Sequence, residues 1–197
     1  MLTIENAQRE LKLAVQLNSG PWEQHSISVA NNARLIAAHV PHMDCEKAYV
    51  MGLMHDIGRR AGVTGIRHIF DGYDYMMSIG EPEIARICLT HSFPIKDVRT
   101  FFGKYDCTQE QLDFLRDFLS GNEFDDYDIL IQLCDAISLP GGHASWKSGL
   151  STSRCATVCR ISPLKSGKRL CGRRRILIIC AAAMCMICCR MCLRILL

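Results

Sequence analysis

The chain has 197 residues, enough for one domain with a real core, and its formal charge of +3 averages two unlike parts. Residues 1–142 hold 12 Lys/Arg and all 20 Asp/Glu, a net −8, whereas residues 143–197 hold 11 Lys/Arg and no acid, a net +11. Cys45, Cys88, Cys107 and Cys134 are widely spaced in apolar surroundings and read as free thiols, which excludes a disulfide framework. Met1-Leu-Thr-Ile-Glu5 has neither the basic start nor the apolar run of a secretory leader, so a cytoplasmic location is expected.

In chain order, Leu2 to Leu17 suits an amphipathic helix closed by the breaker Asn18-Ser-Gly-Pro21. Trp22 to Val40 repeats apolar residues at Trp22, Val29, Ala33, Ile36 and Val40, a helical period with His25 in its stripe, and Pro41 ends it. Asp44 can cap a helix from Cys45 to Ile57 that stops at Gly58. A loop with Gly58, Gly62 and Gly65 precedes a helix from about His68 to Ile79, and Glu81 to Thr90 forms another short helix. Residues 92–107 read as loop. Thr108-Gln-Glu-Gln111 resembles a capping box opening a helix to Leu119, and Asp125 or Asp126 starts a last helix, Tyr127 to Leu139. No segment alternates as a strand should, so the expected fold class is all-α, a helical bundle.

Six residues able to bind a metal lie at core-facing positions of these helices: His25, the adjacent pair His55-Asp56, His68, His91 and Asp135. A buried imidazole or carboxylate is costly unless it is paired or coordinates a metal, and so many in one small domain are hard to explain as packing. Imidazoles and carboxylates together suit Fe, Mn, Zn or Co rather than Ca. Two carboxylates permit bridging, and Asp56 is the natural bridge of a two-metal site, which activates water and clamps phosphoryl oxygens. One or two divalent ions are therefore expected. His68 also fits as a cap of the helix it starts, and His91 as a polar group at a helix end. His39 and His42 flank Pro41 and read as solvated. Arg59, Arg60 and Lys96 could hold a substrate phosphate, but fit solvated loop charges equally well. Gly58, Gly62 and Gly65 do not form a phosphate-binding Walker loop, because no Gly-Lys-Ser/Thr follows.

The order His, His-Asp, His, His, Asp resembles the HD-domain superfamily of metal-dependent phosphohydrolases. The matching stretches are Trp22-Glu-Gln-His25-Ser-Ile-Ser-Val29-Ala30, Gly52-Leu-Met-His55-Asp56-Ile-Gly58 and Leu133-Cys-Asp135-Ala136. The resemblance implies His25, His55, Asp56 and Asp135 as ligands. His68 and His91 match the two further histidines of a dinuclear branch that includes bacterial diadenosine-polyphosphate hydrolases. It implies hydrolysis of a phosphoester or phosphoanhydride in a nucleotide-like small molecule by a metal-activated hydroxide, with His55 and Asp56 catalytic. The alternative is a non-catalytic HD module that binds metal or nucleotide to regulate a partner. No specific nucleic-acid partner is expected, and the oligomeric state is not legible.

The last stretch, 143–197, carries eight of the 12 cysteines and lacks Asn, Gln, Tyr and Phe. Its apolar run, 176–189, is shorter than the roughly 20 residues a membrane span needs, and Arg190 and Arg194 interrupt its extension, so no membrane anchor is expected. Cys185-x-x-Cys188 and Cys189-x-x-Cys192 overlap without the separated knuckles of a zinc module. The composition reads as translation out of frame from about Gly142, which gives two parts: a 1–142 HD-type helical domain and a basic, Cys-rich 143–197 tail with no native-looking structure.

Overall fold

The computed structural model describes residues 1–138 and the backbone of 139, 142 and 143. The rest of the basic tail, and with it the out-of-frame reading, lies outside the described residues. Among them are seven α-helices: α1 (Ile4–Leu17), α2 (Trp22–Ala37), α3 (Cys45–Met54), α4 (Arg67–Ser78), α5 (Pro82–Thr90), α6 (Gln109–Gly121) and α7 (Asp126–Ile137). Two 3-10 turns, Ile57–Ala61 and Val98–Thr100, join them, and a two-residue antiparallel pair sets Ser138–Leu139 against Gly142–His143. The fold is all-α, and no described helix is long and apolar enough to cross a membrane.

The helix starts follow from local chemistry. Thr3 caps α1, the Asp44 carboxylate accepts the amides of Glu46 and Lys47 at α3, and Thr108 with Gln111 and Asp125 with Asp128 close capping boxes on α6 and α7. Pro82 occupies the first turn of α5, where its missing N–H costs nothing. Pro41 prevents α2 from running on to Val40, so the helix ends at Ala37 and tightens into three-residue turns at His39 and Val40.

Helix α3 is the axis of the bundle. Every residue from Ala48 to Met54 is buried, so it is covered all round rather than along one stripe. Gly52 permits this at the α2 crossing, since a Cβ there would stand 2.8 Å from Ala30 Cα. Three apolar clusters surround the axis. One joins α2, α3 and α7 through Val29, Ile36, Met51 and Ile131. A second packs α1 through Ala7, Leu11 and Ala14 onto Leu53, Met54 and Ile84. A third gathers Ile66, Ile69, Phe93, Leu115 and Leu119 under α6. Burying each large aliphatic side chain contributes about 1.5–3 kcal/mol, which holds the helix ends in register.

One boundary differs from the sequence expectation in a way that matters. Helix α3 stops at Met54, before the His-Asp pair. His55 keeps helical angles (φ −56°, ψ −35°), whereas Asp56 turns out of the helix (φ −105°, ψ 16°). Neighbours on a continuous helix project about 100° apart, so leaving it lets both side chains face one point.

Candidate metal centre

The six candidate ligands come from helix ends. His25 sits in the first turns of α2, His68 in the first turn of α4, and Asp135 in the last turn of α7. His55 and His91 are the residues that close α3 and α5, and Asp56 follows His55 directly. The structure brings all six together. Asp56 Oδ1 lies 3.3 Å from His68 Nε2 and 3.6 Å from His91 Nε2, and those two nitrogens are 3.4 Å apart. On the other side, Asp135 Oδ1 lies 2.9 Å from His25 Nε2 and 3.8 Å from His55 Nε2. His55 Nε2 is 4.0 Å from Asp56 Oδ2 and so connects the two groups.

For three of the four imidazoles the far side decides what faces inward. His55 Nδ1 lies 2.7 Å from the Gly52 carbonyl, His68 Nδ1 2.5 Å from that of Gly65, and His91 Nδ1 3.2 Å from that of Ile87. A carbonyl cannot donate, so each Nδ1 carries the proton and each Nε2 presents a lone pair to the cluster. Backbone anchoring of this kind orients histidine ligands in metal sites generally.

The electrostatics are equally one-sided. Burial pushes the His91 pKa down to about 3, and also lowers those of His55 and His68, so these rings are neutral at ordinary pH. Burial pulls His25 down as well, but its hydrogen bond to Asp135 and the carboxylate charge outweigh this and raise it. Burial works to raise Asp56, yet the surrounding imidazoles and the Arg59 guanidinium, with Nε 2.7 Å from Oδ2, hold it well below the usual carboxylate range. Asp135 is lowered too: burial opposes the shift, and His25 is the chief cause that carries it.

Three buried atoms in the cluster have no hydrogen-bond partner: His25 Nδ1, His55 Nε2 and Asp56 Oδ1. Leaving buried acceptors unpaired costs about 1–3 kcal/mol each. Two ionised carboxylates with converging lone pairs are what a divalent cation requires, and His25, His55 and Asp135, like His55, Asp56 and His91, lie close enough to share one. The residues present fit such an ion.

Of the suggested phosphate contacts, the structure brings Arg59 to the cluster. Its side chain is 30% exposed and reaches Asp56. Arg60 lies instead over the Tyr75 ring at 3.7 Å, and Lys96 pairs with Glu123 at 3.0 Å beside Phe124. His39 and His42 are on the surface, His42 against Asp126 at 2.6 Å.

Several positioning residues carry no local sequence signal. The Asn18 side chain, which reads as a breaker, donates to the Arg59 carbonyl at 2.6 Å, and Trp22 Nε1 donates to the Asn18 carbonyl at 2.9 Å. Asn32 Nδ2 donates to the Ser138 hydroxyl at 3.1 Å, tying α2 to the chain just after α7. Asp128 is fully buried and joins α7 to Arg86 and Thr90 of α5, directly before His91.

A family model for the HD domain matches residues 22–139. The chain belongs to the HD-domain family. No curated protein and no solved structure matches it. HD domains are typically metal-dependent hydrolases acting on phosphorylated molecules and bind divalent metals, and the His/Asp cluster of this HD domain is compatible with such a site.

Proposed function

We propose that this HD domain, taken as residues 1–142, hydrolyses a phosphoester or phosphoanhydride bond in a nucleotide-like small molecule in the cytoplasm. His25, His55, Asp56, His68, His91 and Asp135 would hold one or two divalent ions of Fe, Mn, Zn or Co. The observation that carries this reading is Asp56. Its two oxygens face different partners, Oδ1 toward His68 and His91 and Oδ2 toward His55 and Arg59.

A divalent ion supplies Lewis-acid stabilisation of phosphoryl oxygens and lowers the pKa of water. The chain's own groups account for the rest. Asp56 is ionised at neutral pH, so its oxygens accept a hydrogen bond from a water held beside them and orient it. His55, fixed by the Gly52 carbonyl, keeps its Nε2 lone pair inward. Arg59 Nε is committed to Asp56, which leaves its terminal nitrogens to fork onto a phosphoryl oxygen and offset its charge. Asp135, with a side chain 20% exposed, and Arg59 mark the open side, where substrate enters. Arg60, over Tyr75, and Lys96, paired with Glu123, would reach a substrate phosphate only by leaving those partners.

The test pairs metal analysis with phosphate release from a panel of nucleotides. His55→Ala and Asp135→Ala should each lose bound metal and turnover. Both variants retaining metal and full activity would defeat the proposal. Tight nucleotide binding without turnover by the intact chain would assign it to a regulatory module instead.

A further inference from the structure

Helix α4 lacks a cap of its own. Ile66 precedes it, and no side chain of that turn takes its free amides. The segment Lys104 to Asp106 supplies the cap from about forty residues away. Asp106 Oδ2 accepts the Gly65 amide at 2.7 Å, the Lys104 carbonyl accepts Ile66 at 2.8 Å, and Asp106 Oδ1 accepts Arg67 at 3.0 Å. Three consecutive N–H groups are thus held from outside, and a carboxylate lies at the positive end of the helix. Contact is close enough that a Cβ on Gly65 would stand 2.1 Å from the Lys104 oxygen.

The peptide unit clamped in this way carries the Gly65 carbonyl, and that carbonyl takes the Nδ1 proton of His68 at 2.5 Å. The Ile66 amide at the other end of the same peptide unit is the one bound by Lys104, so the carbonyl cannot swing without breaking that bond. We propose that Asp106 is a positioning residue of the metal centre: by gripping the amides on both sides of this peptide, it fixes His68 with Nε2 aimed at Asp56 and His91. This rests on His68 acting as a ligand, as proposed above.

The test uses the full-length chain and two readouts. Nitrogen-15 spectra of the metal-free protein report which His68 nitrogen carries the proton, and titration with Mn2+ alone reports cation affinity. The variants are Asp106→Ala and Asp106→Asn. The second keeps the side-chain shape with one acceptor and serves if the first fails to fold. Thr108→Ala, which removes the cap of α6 two residues further on, is the control for general destabilisation.

Wild type should show the Nδ1–H form at His68. The Asp106 variants should show a mixture and bind Mn2+ about 10–100-fold more weakly, while Thr108→Ala changes neither. An unchanged His68 proton position in both Asp106 variants overturns the proposal. So does a changed position with unchanged Mn2+ affinity. If the wild type binds no Mn2+, the metal reading fails separately, and the nitrogen spectra still decide whether Asp106 holds His68.

Discussion

Replacing Asp128 with alanine should loosen the joint between α5 and α7, which carries His91 and Asp135. Asp128 is fully buried and accepts from Arg86 Nε at 3.0 Å, Arg86 Nη2 at 2.6 Å, the Thr90 hydroxyl at 2.7 Å and the Asp125 amide at 2.9 Å. All four donors bond one carboxylate, and hydrogen bonds to a charged group contribute about 1.5–3 kcal/mol each when taken singly. Arg86 keeps a side chain 23% exposed, so water recovers part of its loss. Bonds sharing one carboxylate are not additive, so the loss is the about 3–5 kcal/mol expected when one partner of a buried pair is removed. For a domain of this size the melting temperature should fall by about 10–15 °C. Asp128→Asn keeps the shape and an oxygen for Thr90 but not the charge facing Arg86, and should cost about half as much. Urea unfolding of Asp128→Ala, Arg86→Met and the double variant measures the coupling directly. A loss below about 1 kcal/mol for Asp128→Ala would refute the reasoning, because surface carboxylates cost no more than that.

Gly58→Ala tests the close approach of the 3-10 turn to α4. A Cβ there would meet the His68 carbonyl oxygen at 1.9 Å and the Gly72 nitrogen at 2.4 Å, both backbone, so the turn must move by more than 1 Å. Thermal unfolding should show a loss of about 3 kcal/mol or more, and turnover should fall by about 100-fold through displaced Asp56 and Arg59; a variant as stable as wild type would contradict the packing. Chelation tests the cation. Stability in Mn2+ at 100 times its dissociation constant should exceed that in chelator by about 2.7 kcal/mol, and the difference should vanish in His55→Ala. The metal-free protein should also lose stability as pH falls. His55, His68 and His91 have folded pKa values below their unfolded 6.5, so between pH 6.5 and the folded value, about 3 for His91, the unfolded chain binds more protons. His25, with a raised pKa, opposes this by contributing stability below pH 6.5 that is lost as pH rises through its folded value. Melting temperatures in chelator should therefore be lower at pH 5.5 than at pH 7, and equal values would show that the three rings are not buried neutral.

Much of this architecture was legible because its signals are local. Period and caps located all seven helices to within a few residues, and Asp44, Thr108 and Asp125 cap where their sequence neighbours suggested. The inward stripe placed His25, and the composition of the six ligands pointed to a divalent ion. The helices' mutual register was not legible. It depends on pairs such as Arg86 with Asp128 and Gly65 with Asp106, which lie about forty residues apart and leave no periodic trace. Lys96 and Arg60 looked equivalent to Arg59 in sequence. Only the fold shows that Phe124 and Glu123 engage the first and Tyr75 the second, while Arg59 turns toward Asp56.

One regularity was readable in retrospect, and it explains why the site is built at helix ends. Within a helix each carbonyl is taken by the amide four residues on, so an imidazole finds few free backbone acceptors. Carbonyls in a last turn, or just before a first turn, can escape that bond. His55 closes α3 and gives its Nδ1 proton to the carbonyl three residues back, Gly52; His68 opens α4 and gives its proton to Gly65, again three back. Gly-x-x-His occurs at both places, and glycine serves a packing need each time, against Ala30 and against Lys104. His91 closes α5 and departs from this: the Ile87 carbonyl four back accepts both its own amide at 3.0 Å and its Nδ1 proton. The terminal position thus does two things at once. It supplies an acceptor that keeps the proton on Nδ1, and by ending the helix it frees the next residue, as at Asp56, to turn toward the same point. A His-Asp pair in mid-helix would have neither, which is why the stop of α3 at Met54 matters more to this site than the pair's proximity in sequence.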